Sequence, residues 1–328
     1  MEDKVYRDED VSLDVLKGKT IAVLGYGIQG GPQALCFRDS GLDVIIGAGP
    51  RDRFPDWDKA EADGFEVMSI AEATKRGDVV HVLLADPAQP SVYREFIHPN
   101  LKPNSTLSFA HGFNILYGAI VPPDNVNVVL YVPNSPGHMV RKKFLEGSGI
   151  YGAVAVDQDV TGNALEIVLA LSKAAGSTRV GVIELSFQHE TEGDNFEEQV
   201  LYGGVIHLMK AVFNTMVENG YPPYFAYAKA IRSLRTVVDV MDEIGIEPYI
   251  SQRSSRTCEF AVRMSGPRVI NYEEIQKIFE ETERGDFAAR WMEEWQLGMP
   301  RLHRMRRTGA ASKMEETGRK WRELFGEG

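Results

Sequence analysis

The run Ile21-Ala22-Val23-Leu24, followed at once by Gly25-Tyr26-Gly27-Ile28-Gln29-Gly30, restricts this chain more than any other feature. Four apolar residues ending in glycines, with helical composition over residues 33–39, describe a buried parallel strand entering a βαβ unit. The glycines fit G-x-G-x-x-G, a spacing that lets the chain turn tightly and bring backbone N–H groups to a pyrophosphate at a helix N-terminus. Gly25, Tyr26, Gly27, Ile28, Gln29 and Gly30 are therefore the expected dinucleotide loop. The same six residues without this context would be only a packing turn.

The strand pattern repeats at residues 43–47, 78–84, 105–109, 127–132, 152–156 and 178–183, with helical composition at 57–62 and 70–76. Up to about residue 185 this predicts an α/β fold, a Rossmann doubly wound parallel sheet. Beyond Phe187 β-branched runs thin out, and helical periodicity covers 195–219, 223–243, 272–284 and 287–295, punctuated by prolines and glycines such as Gly298-Met299-Pro300. The 328 residues have room for two domains at about 100–200 residues each. The expected division is a NAD(P)-binding Rossmann domain over 1–185 and an all-α domain over 186–328, whose Arg- and Glu-rich end reads as a solvated helix.

Acids outnumber bases by 47 to 36, a net charge of −11, which argues against a protein built to neutralise nucleic-acid phosphates or to dock on anionic membrane, though local basic patches stay allowed. The two cysteines, Cys36 and Cys258, form no C-x-x-C pair, so a reducing cytoplasm is the default. An acidic N-terminus without a signal-peptide layout, and no apolar run approaching about 20 residues, lead us to expect a soluble intracellular protein.

The second strand should end in an acid that reads the adenosine ribose. Here it ends Ile45-Ile46-Gly47-Ala48-Gly49, followed by Arg51 and Arg53. Loss of the acid and gain of two guanidinium groups favour a 2′-phosphate, hence NADPH, with NADH left open because Asp52 or Asp56 can accept ribose hydroxyls. His111, in a glycine-flanked turn after a predicted strand, falls at the carboxyl edge of the sheet, where ligands of such sheets bind, and imidazole can donate a proton near neutral pH.

Further matches run through both halves: Leu16-Lys17-Gly18-Lys19, Asp39-Ser40-Gly41, Ala60-Glu61-Ala62-Asp63-Gly64-Phe65, Phe109-Ala110-His111-Gly112-Phe113-Asn114-Ile115, Pro136-Gly137-His138, Ser265-Gly266-Pro267-Arg268-Val269-Ile270 and Gly285-Asp286-Phe287-Ala288. Together they resemble the ketol-acid reductoisomerase family, in its short, class I form. The resemblance implies a Rossmann domain and a knotted all-α domain, in a homodimer whose active site draws on both subunits, with higher oligomers left open. It implies two Mg²⁺ ions that polarise a 2-hydroxy-3-keto acid for alkyl migration, and hydride delivery from NAD(P)H. Asp86, Gln89 and Gly137 match cofactor contacts, and Asp194 and Glu198, one helical turn apart, match the first pair of metal ligands.

Against that pattern the chain departs at several places. Lys229 and Ser233 stand where the resemblance puts a second glutamate pair, so an ammonium replaces a carboxylate and a second Mg²⁺ is disfavoured; whether any Mg²⁺ binds stays open. Lys229 could pair with Asp194 and Glu198 and supply a metal's charge. One residue fewer after Gln199 shifts the helix phase by about 100°. Asn134 replaces a lysine expected near the substrate, Ser255 matches a substrate serine, and Arg253 and Arg256 bring new cations. His189 stands where a carboxylate is expected. His111, Asp194, Glu198 and Lys229 are the expected catalytic set, with Asn134, Ser233 and Ser255 as substrate contacts.

These departures lead us to expect first an NAD(P)H-dependent reductase of a small C=O or C=N compound, such as a 2-keto acid or a cyclic imine, without two-metal alkyl migration. The alternatives are a genuine Mg²⁺-dependent ketol-acid reductoisomerase of branched-chain amino acid synthesis, and a cofactor-binding protein without catalysis.

Overall fold

The computed structural model describes residues 4–326, and the chain divides into two compact units between Gly193 and Asp194. The first is a nine-stranded sheet: β1 (Val5–Tyr6), β2 (Thr20–Leu24), β3 (Asp43–Ala48), β4 (Glu66–Ser69), β5 (Val79–Val82), β6 (Thr106–Phe109), β7 (Asn127–Pro133), β8 (Gly152–Gln158) and β9 (Val182–Glu184). Its order is β1-β9-β8-β7-β6-β5-β2-β3-β4. Strands β2 to β7 pair in parallel, β8 joins β7 antiparallel, and β9 runs parallel to β8. The chain reverses its direction of travel across the sheet between β2 and β5, and the crevice at such a switch point is where these sheets bind ligands.

Ile21 to Leu24 form a continuous apolar run because both faces of β2 are covered. Ile21 and Val23 join Phe37, Ile46 and the helix Ala164–Ala174 in one core. Ala22 and Leu24 join Ile45, Val80, Val82 and Ile97 on the other face, with the helix Ile70–Arg76. Two strands were not expected, β1 and β4. Both are short edge strands with too few apolar residues to show a period. The strand expected from 178 begins only at Val182, because Ser177–Arg179 forms a 3₁₀ turn after Gly176 at φ 88°.

The second unit is helical. Its first helix continues the run Phe187–Glu197, through a wider i→i+5 segment at Glu198–Tyr202, into Gly203–Glu218. Another such segment, Ala228–Arg232, joins Pro223–Tyr227 to Ser233–Ile244. Helices Arg256–Ser265, Tyr272–Glu283, Asp286–Gln296, Pro300–Ala310 and Lys313–Phe325 follow. Pro300, expected as punctuation, opens a helix, since a proline at the first helical position gives up an N–H that has no partner there anyway. The core of this unit is small: Phe213, Ala226, Tyr227, Ala230 and Met314. Leu201, Ile206, Leu208 and Val212 are exposed along the first helix. By length and composition alone the run Phe187–Glu218 could cross a membrane, with a mean hydropathy of 1.3 over its most apolar window. Glycines and polar residues interrupt that run, so it holds no unbroken apolar stretch.

Candidate functional site

Gly25 leads the chain out of β2 into the helix Gly30–Asp39. A Cβ on Gly30 would lie 2.1 Å from the Gly25 carbonyl oxygen, so no larger residue can close this turn. Gly137 is held as closely: a Cβ there would lie 2.0 Å from the Ile28 carbonyl oxygen. The loop after β7 is thus pressed onto the glycine loop. Gln29 ties the two together, its Nε2 donating to the Ser135 carbonyl at 3.0 Å. Gly27 and Ile28 are exposed at the tip, and Tyr26 is buried with its hydroxyl donating to Asp63 at 2.7 Å.

Behind Gln29 runs a buried relay that the sequence reading did not identify. Gln33 donates to Gln29 Oε1 at 3.1 Å, His81 Nε2 lies 3.0 Å from Gln33 Oε1, and His81 Nδ1 lies 2.9 Å from Ser108 Oγ. His81 and Gln33 are fully buried. Burial pushes the His81 pKa down to about 3, so the imidazole is neutral and Nε2 must carry its proton to meet the Gln33 carbonyl. A single imidazole inside the apolar strand Val79-Val80-His81-Val82 was the available signal.

The second cluster gathers at the carboxyl ends of β5 and β6. Asp86 Oδ2 meets His111 Nδ1 at 2.9 Å. Gln89 donates to Asp86 Oδ1 at 3.1 Å and to the Leu84 carbonyl at 2.7 Å. Asn114 Nδ2 donates to the Asp86 carbonyl and to Gln89 Oε1 at 3.1 and 2.9 Å. Asp86 and Gln89, expected as cofactor contacts, belong to the histidine's hydrogen-bond network, Asp86 directly and Gln89 through Asp86. A carboxylate on Nδ1 holds the ring's orientation and fixes its tautomer. At Gly112 an added Cβ would lie 2.1 Å from Thr191 Oγ1. The histidine loop is therefore packed on the stretch carrying the buried carboxylates Glu190 and Glu192. Asn134 is exposed in the loop after β7, where its backbone N–H donates to the Tyr151 carbonyl.

Arg51 is exposed and engaged by Asp58 at 2.6 Å and Glu61 at 2.9 Å. Hydrogen bonding to Asp58 raises its pKa first of all. A 2′-phosphate would compete with those carboxylates for it, while Arg53 is exposed nearby. Asp56 accepts from the Tyr26 backbone N–H at 3.2 Å.

In the helical unit Asp194 is half-buried, and Glu198, one turn on, is exposed at the start of an i→i+5 segment. Lys229 sits in the other such segment, exposed, with Nζ 5.4 Å from the Phe225 ring centroid. Within one chain it forms no ion pair with Asp194 or Glu198 among the described residues. Ser233 donates to the Ala228 carbonyl at 3.2 Å. Ser255 caps the helix Arg256–Ser265 by accepting from the Cys258 N–H at 3.2 Å. Arg256 is paired with Glu259 at 2.9 Å, and His189 is exposed. No group of three or more His, Cys, Asp or Glu side chains is placed to hold an ion among the described residues. Asp194 and Glu198, one helical turn apart, supply two carboxylates, the donor type a hard cation takes, and Lys229 and Ser233 add no further carboxylate.

Comparison with known proteins gives the arrangement its relatives. Residues 15–181 match the family model "Acetohydroxy acid isomeroreductase, NADPH-binding domain", and residues 187–327 match "Ketol-acid reductoisomerase, C-terminal domain". The chain is 46% identical over 324 residues, 98% of each chain, to the ketol-acid reductoisomerase (NADP(+)) of Methanopyrus kandleri. It is 44% identical over 327 residues, again 98% of each, to that of Methanocaldococcus jannaschii. The solved structure of an NADH-preferring ketol-acid reductoisomerase from an uncultured archaeon matches with a TM-score of 0.95 and 40% identity, over 99% of this chain and 100% of the other.

Proposed function

The chain belongs to the ketol-acid reductoisomerase family and is an NAD(P)H-dependent oxidoreductase, and from that premise we propose that its substrate is the family's own, a small 2-hydroxy-3-keto acid. The observation that carries this reading is the Asp86–His111 couple at the carboxyl edge of the sheet, in a chain that aligns almost end to end with reductoisomerases. The expectation of a separate reductase for simple carbonyls or cyclic imines gives way to it, because relatives 44–46% identical over 98% of the chain carry the reductoisomerase name.

A dinucleotide held at the glycine loop would supply hydride to a carbonyl carbon, whose oxygen would then need a proton. His111, oriented through Nδ1 by Asp86, is the side chain we assign to supply that proton. Gly30 and Gly137 keep the loops close enough for backbone N–H groups to take the pyrophosphate. Asp194 and Glu198 would hold one Mg²⁺, which when bound would polarise substrate oxygens. NADPH is the favoured cofactor, supported by the NADP(+) relatives; the NADH-preferring structure keeps NADH as the alternative.

A homodimer of cytoplasmic enzyme goes with this reading. A second copy would cover the exposed Leu208 and Val212. Lys229 and Ser233 favour a second reading, reduction of a simple 2-keto acid without alkyl migration, since the ion that would share their site is opposed by an ammonium. Turnover of 2-acetolactate with NADPH that requires Mg²⁺ and stops in EDTA is the expected result. Failure on acetolactate together with EDTA-resistant turnover of a 2-keto acid would establish the second reading instead.

A further inference from the structure

A cavity of about 710 Å³ opens in the helical unit between the helices Gly203–Glu218 and Pro300–Ala310. His207, Lys210, Arg301 and Arg304 line it, with Asn214 and Thr308 between them, and no carboxylate does. In a chain of net charge −11 a carboxylate-free wall of this size is not the average surface. The helix Pro300–Ala310 has no acidic residue and carries Arg301, His303, Arg304, Arg306 and Arg307. Its first-turn N–H groups at Arg301 and Leu302 are already taken by Glu294 Oε1, at 2.7 and 3.0 Å, so the side chains supply the positive character of the hollow. Arg301 meets Glu293 and Glu294 only at 3.8 and 3.7 Å. Lys210, His207 and Arg304 form no ion pair among the described residues.

Like charges held around one hollow repel each other, and an anion entering it relieves that repulsion. Two guanidinium forks, an ammonium and neutral donors from Asn214 and Thr308 are the groups that bind clustered anionic oxygens. The volume lies within the range of small-molecule pockets, and a concave wall suits a compact ligand rather than a polymer. At 100° per residue, His207, Lys210 and Asn214 lie about 140° around the helix from Leu208 and Val212.

We propose that this cavity is a binding site for a small organic polyanion, carrying two or more phosphate or carboxylate groups, distinct from the dinucleotide loop. The test is calorimetric titration of the full-length protein, saturated with NADP⁺, with pyrophosphate in one arm and citrate in the other at constant ionic strength. Saturable binding in at least one arm, weakened about tenfold or more in Arg304→Gln and in Lys210→Gln, supports the site. The responding arm tells phosphate from carboxylate ligands, and neither variant should change basal turnover. Circular dichroism checks that each variant is folded, and the second serves if the first is not. Absence of saturation in both arms, or binding that a folded variant leaves unchanged, overturns the proposal.

Discussion

The two units solve burial differently. The sheet unit finishes its own core: both faces of β2 are closed, and Ile21, Ala22, Val23, Leu24, Phe37 and Ile46 are fully buried. The helical unit buries few large side chains of its own and leaves Leu201, Ile206, Leu208, Val212, Phe260 and Met264 exposed. A self-sufficient core can position a cofactor loop in a single chain. A helical layer with so much apolar surface uncovered is the kind of face that partners cover, and under the homodimer proposed above its share of a site depends on that cover. The glycine loop and the Asp86–His111 couple therefore read directly from one chain, whereas the work proposed for Asp194, Glu198 and Lys229 rests on the second copy proposed above.

Separating the two behaviours is the strongest challenge to this contrast. Leu208→Glu combined with Val212→Glu puts charges on the uncovered face. We expect a monomer by analytical ultracentrifugation and turnover reduced at least about 100-fold, with dinucleotide affinity within a few-fold of the parent. Gly30→Ala should do the reverse, because its Cβ meets the Gly25 carbonyl at 2.1 Å. Fluorescence titration should show dinucleotide binding weakened at least about 30-fold while the oligomer persists. If both variants lose both properties, the units are not independent and the comparison fails.

Smaller effects sharpen it. Asp86→Asn keeps a hydrogen bond to His111 but removes the charge that supports an imidazolium, so kcat should fall about 100-fold with a much smaller change in KM for the dinucleotide. His81, neutral because it is buried, makes folding sensitive to acid. Its pKa is about 3 in the folded chain against an ordinary 6.5. The unfolded chain thus takes up the proton first, and stability present above pH 6.5 is lost as the pH falls toward 3. About 2 kcal/mol should be gone by pH 5, read from urea midpoints, and His81→Met should remove that slope. Arg51→Gln should be smallest, changing the NADPH-to-NADH ratio of KM by less than about threefold, since Asp58 and Glu61 already occupy the guanidinium.

Most of the sheet unit was legible because buried parallel strands announce themselves as apolar runs, and glycines that admit no Cβ announce a tight turn. Edge strands β1 and β4 were not, since an edge strand with one covered face needs few apolar residues. The position of His111 followed from its motif, but its partner did not. Asp86 and His111 are distant in sequence and meet only because β5 and β6 are neighbours whose ends point the same way. The relay from His81 to Gln29 was missed for the same reason: each member looks unremarkable on its own element. In the helical unit the substitutions at Lys229 and Ser233 were visible, but not that Ser255 would be used as a helix cap.

By itself, the sequence determined what is local and periodic: the strand-turn-helix that suits a dinucleotide and the change from sheet to helix; that Lys229 and Ser233 stand in place of carboxylates is what the family resemblance implies. Only the tertiary structure decided which side chains share a hydrogen bond, that Arg51 is already held by acids, and that the basic residues of two separate helices face one hollow in an acidic chain. The physical reason is range. Propensity and hydrophobic period act over a few residues, whereas proton positions and fields depend on side chains brought together from distant elements.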